Sequence, residues 1–158
     1  MCNKNEGNMF KGNFTFSIDS KGRLSIPAKL RKYVNPEANN TFVFTKGIEK
    51  CIYVYPLDEW HIFEETLKKL NPNKREEAFI RRRFLMFASD DTLDTQNRLI
   101  IPKDLAAYAG IEKEVFILGD LEKFELWNPS EYEKYLNNND MPFEDVVEKV
   151  LGGGDYDT

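Results

Sequence analysis

Two arginines stand at matching places in the chain. Asp19-Ser20-Lys21-Gly22-Arg23-Leu24-Ser25-Ile26-Pro27-Ala28-Lys29-Leu30 aligns with Asp94-Thr95-Gln96-Asn97-Arg98-Leu99-Ile100-Ile101-Pro102-Lys103-Asp104-Leu105 at an offset of 75, with Asp, Arg, Leu, Ile, Pro and Leu recurring. A guanidinium is a planar, permanently charged fork of donors that fits phosphate oxygens and the acceptor edge of guanine. An Asp four residues upstream, at a strand end, can accept turn N–H bonds and pair with that arginine, a brace that needs no ligand. At this point the repeated unit has two readings, an anion-reading hairpin and a self-contained clip. Little else in the chain offers chemistry. His61, the one histidine, lies in a helical pattern beside Trp60, and no Gly-rich phosphate loop or nucleophile elbow occurs. Cys2, Cys51 and His61 are far apart and lack paired-ligand spacing, and Asp90 to Ile101 lacks the central Gly and terminal Glu of a calcium loop. We expect no catalytic residue, no cofactor, no metal and no small-molecule substrate.

The elements that must hold the two motifs repeat with them. Glu49-Lys50 with Pro56 aligns with Glu122-Lys123 and Pro129 at an offset of 73, so the copies continue after a loop-length change and the unit is roughly 45 residues. Each copy reads as strand, tight turn, strand, short helix, strand, turn, strand. Asn13 to Ile18 alternates with period two, as a half-buried strand does. Gly22 can take a positive φ in the turn that follows, and its counterpart Asn97 is the next most tolerant residue there. Pro27 and Pro102 suit the first position of short helices over 28–33 and 103–109. Later strands are expected over 41–45, 51–55, 115–118 and 124–127, with Gly47 and Gly119 in the connecting turns. Between the copies, Trp60, Phe63, Leu67 and Leu70 mark one apolar helical stripe and Phe79, Ile80, Phe84 and Phe87 a second, with Arg81, Arg82 and Arg83 beside it. A helical hairpin follows, its arginine cluster read as a solvated or inter-subunit face. After Pro142, Phe143, Val146, Val147, Val150 and Leu151 give a last amphipathic helix that seeks a partner surface, and the tail over 152–158 is expected to be flexible.

Composition bounds the function. The 158 residues carry a formal charge of −5, with 41% apolar and 31% charged residues, as in ordinary globular proteins. No run approaches a membrane span, and Met1 to Asn8 lack the apolar core of a secretory signal, so a cytoplasmic protein with two reduced thiols is expected. The charge is uneven. Residues 1–35 hold seven bases against two acids, a net of +5, which leaves −10 on the other 123. Around the second motif, Asp90, Asp91, Asp94 and Asp104 outweigh Arg98 and Lys103. The first copy is therefore the one expected to face an anion, with Arg23 and Lys21 foremost and Lys29, Arg31 and Lys32 as phosphate contacts. A self-assembling structural or protein-interaction module without specific DNA binding is the rival, and salt separates the two, because ionic contacts with DNA weaken steeply with ionic strength while apolar assembly persists.

Met9-Phe10-Lys11-Gly12, the stretch from Asp19 to Pro27, Tyr55-Pro56-Leu57-Asp58-Glu59-Trp60 and Lys123-Phe124-Glu125-Leu126-Trp127 together resemble the MraZ family, bacterial regulators of the division and cell wall gene cluster. The resemblance covers about residues 9–150. It implies an α+β fold of the AbrB type, two tandem β-α-β swapped-hairpin repeats forming a pseudo-dimeric β barrel with connecting and C-terminal helices. The implied organisation is an N-terminal extension over 1–8, repeats over 12–59 and 88–131, a helical hairpin over 60–87, C-terminal helices over 132–151 and the tail. By the same resemblance, Asp19 with Arg23 and Asp94 with Arg98 match the family's two Asp-x-x-x-Arg motifs. The expected protein is a ring-like homo-oligomer that binds tandem direct repeats of double-stranded promoter DNA, its own promoter included, as a nucleoid-associated repressor. Asn97 departs from the usual Gly of the second motif, and residues 1–8 precede the usual start.

Overall fold

Phe14 and Phe16 alternate with polar Asn13, Thr15 and Ser17 to make β1 (Asn13–Ser17) in the computed structural model, which describes residues 9–138 and 140–152. The extension over 1–8 with Cys2, and the tail beyond Gly152, lie outside the described residues. The first copy continues with β2 (Arg23–Ser25), α1 (Ala28–Arg31), a 3-10 turn over Pro36–Ala38, β3 (Thr41–Lys46) and β4 (Ile52–Pro56). Helices α2 (Leu57–Lys68) and α3 (Arg75–Met86) follow. The second copy gives β5 (Ser89–Thr92), β6 (Arg98–Ile100), α4 (Lys103–Ala109), β7 (Glu114–Asp120) and β8 (Lys123–Trp127), with α5 (Pro129–Asn137) and α6 (Phe143–Leu151) behind it.

The strands form an antiparallel six-stranded sheet in the order β1-β7-β8-β4-β3-β5 and a separate two-stranded ribbon of β2 and β6. The first strand of each copy joins the other copy: Phe14 of β1 lies opposite Ile117 of β7, and Asp91 of β5 opposite Phe42 of β3. Neither copy completes its sheet alone. One continuous core results, in which Leu24, Leu30, Phe42 and Val54 of the first copy pack with Leu99, Leu105, Val115 and Phe124 of the second. Full burial of each such side chain contributes about 1.5–3 kcal/mol. Phe10 closes one edge, its ring set edge-on to Phe124 at 5.3 Å. β3 buries Phe42, Val43, Phe44 and Thr45 in succession, because α2 and α3 cover its outer face through a second cluster of Val43, Tyr55 and Trp60. Phe63 of α2 stacks on Tyr55 at 5.1 Å, and Phe84 of α3 meets Phe63 edge-on at 5.1 Å.

Four details differ from the expectations. Pro27 and Pro102 sit one place before their helices, as N-caps, and α1 stops at Arg31. Gly119 lies within β7 rather than in a turn: a Cβ there would run into the Lys11 backbone, and the turn falls at Leu121, whose φ is +63°. On α3 the stripe splits: Phe84 turns inward onto Phe63 of α2 and Tyr53 of β4, while Phe79 and Ile80 are exposed and Ala78 is the buried residue of the helix. The three arginines beside it are not one face. Arg83 donates from Nη2 to the Gly47 carbonyl at 2.9 Å and to the Tyr108 hydroxyl at 2.8 Å, bracing α3 against the β3–β4 turn and α4, while Arg81 reaches the Leu70 carbonyl and Arg82 is exposed. Cys51 is a buried free thiol, held well above the ordinary thiol range by burial first and then by Glu125 and Glu49. No helix of the described residues is long and apolar enough to cross a membrane.

Candidate nucleic-acid interface

The ribbon of β2 and β6 is set by alternation and by two turns. Leu24 lies opposite Leu99 and both are buried, so Arg23, Ser25, Arg98 and Ile100 share the outer face, with Arg23 opposite Ile100 and Ser25 opposite Arg98. The two arginines are diagonal neighbours. Each turn closes alike. Gly22 N donates to the Asp19 carbonyl at 3.0 Å and Asn97 N to the Asp94 carbonyl at 3.0 Å, with φ of +78° at Gly22 and +61° at Asn97. That left-handed backbone turns each carbonyl toward the other repeat, where Gly22 O accepts from Ile101 N at 2.9 Å and Asn97 O from Ile26 N at 3.0 Å. Asparagine therefore fills the glycine's place without changing the frame.

Within each turn the carboxylate works as a clip. Asp19 Oδ1 accepts from Lys21 N and Arg23 N, both at 2.9 Å, and Oδ2 accepts from Arg23 Nε at 2.6 Å. Asp94 repeats this with Gln96 N at 2.8 Å, Arg98 N at 2.9 Å and Arg98 Nε at 2.8 Å. The hydrogen bond from Arg23 N, joined by those from its side chain and from Lys21 N, holds the Asp19 carboxyl below its ordinary range. At Asp94 partial desolvation pushes upward, and the bonds from Arg98 and Gln96 outweigh it, leaving that carboxyl lowered as well. The clip engages Nε only. Among the described residues the Nη ends make no hydrogen bond, and Arg98 Nη1 comes to 4.0 Å from Asp19 Oδ2 across the ribbon. Each arginine is thus oriented by its aspartate while its donor fork stays available, with side chains 29% and 23% exposed for Arg23 and Arg98.

The other expected contact residues divide. Lys21 is exposed at the turn tip and Lys29 is exposed on α1. Arg31 is half-buried, donating from Nε to the Ile26 carbonyl at 3.0 Å, and Lys32 lies 5.1 Å over the Tyr33 ring. The second hairpin has acids that the first lacks. Asp91 Oδ2 accepts from Ile100 N at 2.8 Å and Asp90 is exposed, where the repeat offset places Thr15 and Phe16 in the first copy. Sequence reasoning passed over Ser25 and Ile100, which flank the arginines on the outer face; the alternation around Leu24 and Leu99 was the signal. His61 pairs with Glu64 at 3.0 Å on the exposed face of α2.

Comparison with known proteins adds identity to this geometry. Residues 9–83 and 84–152 each match the family model described as "MraZ protein, putative antitoxin-like". The chain is 41% identical over 143 residues to a protein of Clostridium beijerinckii, spanning 90% of this chain and 96% of that one. It is 39% identical over 147 residues to one of Pediococcus pentosaceus, covering 92% and 99%. A protein of Natranaerobius thermophilus is 37% identical over 143 residues, covering 90% and 97%. All three relatives bear the name Transcriptional regulator MraZ.

Proposed function

The chain belongs to the MraZ family, and we propose that it is a sequence-specific DNA-binding transcriptional regulator, not an enzyme, whose reading element is the β2–β6 ribbon. The observation that carries this reading is the pair of clipped arginines, Arg23 and Arg98, diagonal neighbours on the outer face of the ribbon whose Nη ends make no hydrogen bond among the described residues. A two-stranded ribbon fits the major groove, where an arginine fork can take the two acceptors of guanine. Fixing Nε beforehand lowers the entropy lost when the fork engages a base. Asp19 and Asp94 act as positioning residues for it. Lys21 and Lys29 supply phosphate contacts that set affinity rather than sequence, with Arg31 and Lys32 adding charge behind them.

In this reading the exchange of β1 and β5 between the copies supports a swapped-hairpin barrel in which one chain acts as a pseudo-dimer. Few phosphate contacts per chain suffice when a ring-like homo-oligomer engages tandem direct repeats, since each later contact is intramolecular. The net negative charge limits nonspecific coating of DNA. Such an oligomer on the promoter of the division and cell wall gene cluster, its own gene included, represses by blocking polymerase, in the cytoplasm at the nucleoid. The test is fluorescence anisotropy on the DNA upstream of the gene and on a scrambled duplex, at two salt concentrations. Preference for the upstream DNA with affinity falling steeply in salt is expected. Equal, weak binding to both duplexes by the assembled protein would overturn the reading in favour of a self-assembling interaction module.

A further inference from the structure

Four side chains stand on the outer face of the ribbon, and Arg23, Ser25 and Arg98 are polar. The fourth, Ile100, is 55% exposed and joins neither apolar cluster of the fold. A β-branched residue suits a strand for its own sake, but the repeat supplies an internal control. Ile100 aligns with Ser25 at the 75-residue offset, and the two lie opposite Arg23 and Arg98 in the same ladder. The mirrored place holds a small polar side chain on the same strand pairing, so the fold does not require an aliphatic one there. The main chain of Ile100 is pinned separately, by the bond from its N–H to Asp91 Oδ2 at 2.8 Å.

Register fixes what Ile100 stands beside. Ile101 N bonds to the Gly22 carbonyl and Ile26 N to the Asn97 carbonyl, so ladder bonds fall on alternate pairs and Arg23 with Ile100 is a non-hydrogen-bonded pair. That is the class in which opposite side chains come closest, with Cβ atoms about 4.5–5.5 Å apart. We propose that Ile100 reads a thymine methyl in the base pair next to the guanine taken by Arg23. This deepens the DNA-reading function proposed above and rests on it. Base pairs stack about 3.4 Å apart, so an arginine fork and an aliphatic side chain at that separation span neighbouring steps. The thymine C5-methyl is the apolar feature of the major groove, and excluding water between it and Ile100 favours thymine over cytosine. Beside Arg98, Ser25 offers a hydroxyl instead, which is satisfied by more than one base edge. The two ends of the ribbon therefore read differently, a guanine next to thymine at Arg23 and a guanine with a permissive neighbour at Arg98.

The test is fluorescence anisotropy of the full-length protein on the upstream DNA and on the same duplex with every thymine replaced by deoxyuridine, which removes the methyls and keeps the pairing. The wild type should bind the thymine duplex about fourfold more tightly for each methyl contacted, the effect of burying one methyl-sized group. Ile100→Ser installs the residue already present at the mirrored place and leaves no hole in the core, so it should stay folded and bind the two duplexes equally. Ile100→Val, still branched and aliphatic, should keep most of the preference, and Ser25→Ala all of it. A folded Ile100→Ser protein that retains the preference for thymine overturns the proposal, because Ile100 then serves the strand alone. So does a wild type that binds both duplexes equally while still preferring the upstream sequence over a scrambled one; the ribbon then reads DNA without this contact. If the wild type prefers neither the upstream sequence nor thymine, both readings fall.

Discussion

At the tip of the first hairpin the residues between Asp19 and Arg23 are Ser20, Lys21 and Gly22; at the second, Thr95, Gln96 and Asn97 stand between Asp94 and Arg98. The clip distances agree within 0.2 Å, from 2.6 to 2.8 Å at Nε and 2.9 Å at both arginine N–H groups. The electrostatics do not agree. The first tip carries Lys21 with the bases of α1 behind it, and the second carries a neutral Gln96 with Asp90 and Asp91 on the neighbouring strand. Backbone geometry is held in common because the hairpins hydrogen-bond to each other through Gly22 and Asn97, so distorting one disturbs both. Charge is free to diverge because it sits outside that frame. A duplicated scaffold can thus keep two hairpins in the same shape while their charge diverges.

The shared frame breaks most severely underneath. Leu24→Ala and Leu99→Ala should each lower stability by about 2–5 kcal/mol, by similar amounts, since the two side chains face each other in one core. Urea denaturation checks this, and a negligible loss at one of them would mean the ribbon is anchored by a single repeat. The turn residues come next. Gly22→Ala should cost about 1–2 kcal/mol from the positive φ alone, because a Cβ there meets only the Ile101 carbonyl at ordinary contact distance. Asn97→Gly should change stability by no more than about 0.5 kcal/mol, as asparagine already tolerates that backbone.

Charge then sharpens the comparison. Removing the exposed acid in Asp90→Asn should raise DNA affinity about twofold, the effect of one charge roughly 10 Å from a phosphate in water; an unchanged anisotropy curve would place the second hairpin away from DNA. The smallest effect is on pH. Asp19 and Asp94 are both held below the ordinary carboxyl value, so their stabilisation is complete above about pH 4 and is lost as pH falls through their lower folded values. An Asp19→Asn, Asp94→Asn double variant should melt with less dependence on pH between about 5 and 2 than the wild type.

Much of this arrangement was legible in the residues. The 75-residue offset located both motifs, the Gly22 and Asn97 correspondence foretold a left-handed turn in each, and the period-two pattern gave β1. What stayed hidden depends on pairing between distant segments. Nothing local shows that β1 joins β7, or that Gly119 must be bare because the Lys11 backbone crosses it. The apolar stripe on α3 misled for the same reason: Phe79, Ile80 and Phe84 fit one helical face by spacing, but of these only Phe84 meets α2 and β4, through Phe63 and Tyr53. The arginine cluster likewise reads as a uniform charged run until tertiary structure commits Arg83 to Gly47 and Tyr108. At the ribbon, the sequence pointed to Asp19, Arg23, Asp94 and Arg98 as paired residues but not to how each arginine divides, with Nε held by the clip and Nη without a hydrogen bond among the described residues.

We propose that the first hairpin dominates contact with DNA, and an anisotropy titration of Arg23→Ala and Arg98→Ala side by side with the wild type on the upstream DNA tests it. Loss of a guanine-reading fork costs about 1–3 kcal/mol, so Arg23→Ala should weaken binding by roughly 5- to 150-fold, and Arg98→Ala by clearly less. Wild-type affinity in a folded Arg23→Ala protein, or a greater loss in Arg98→Ala, would contradict the account.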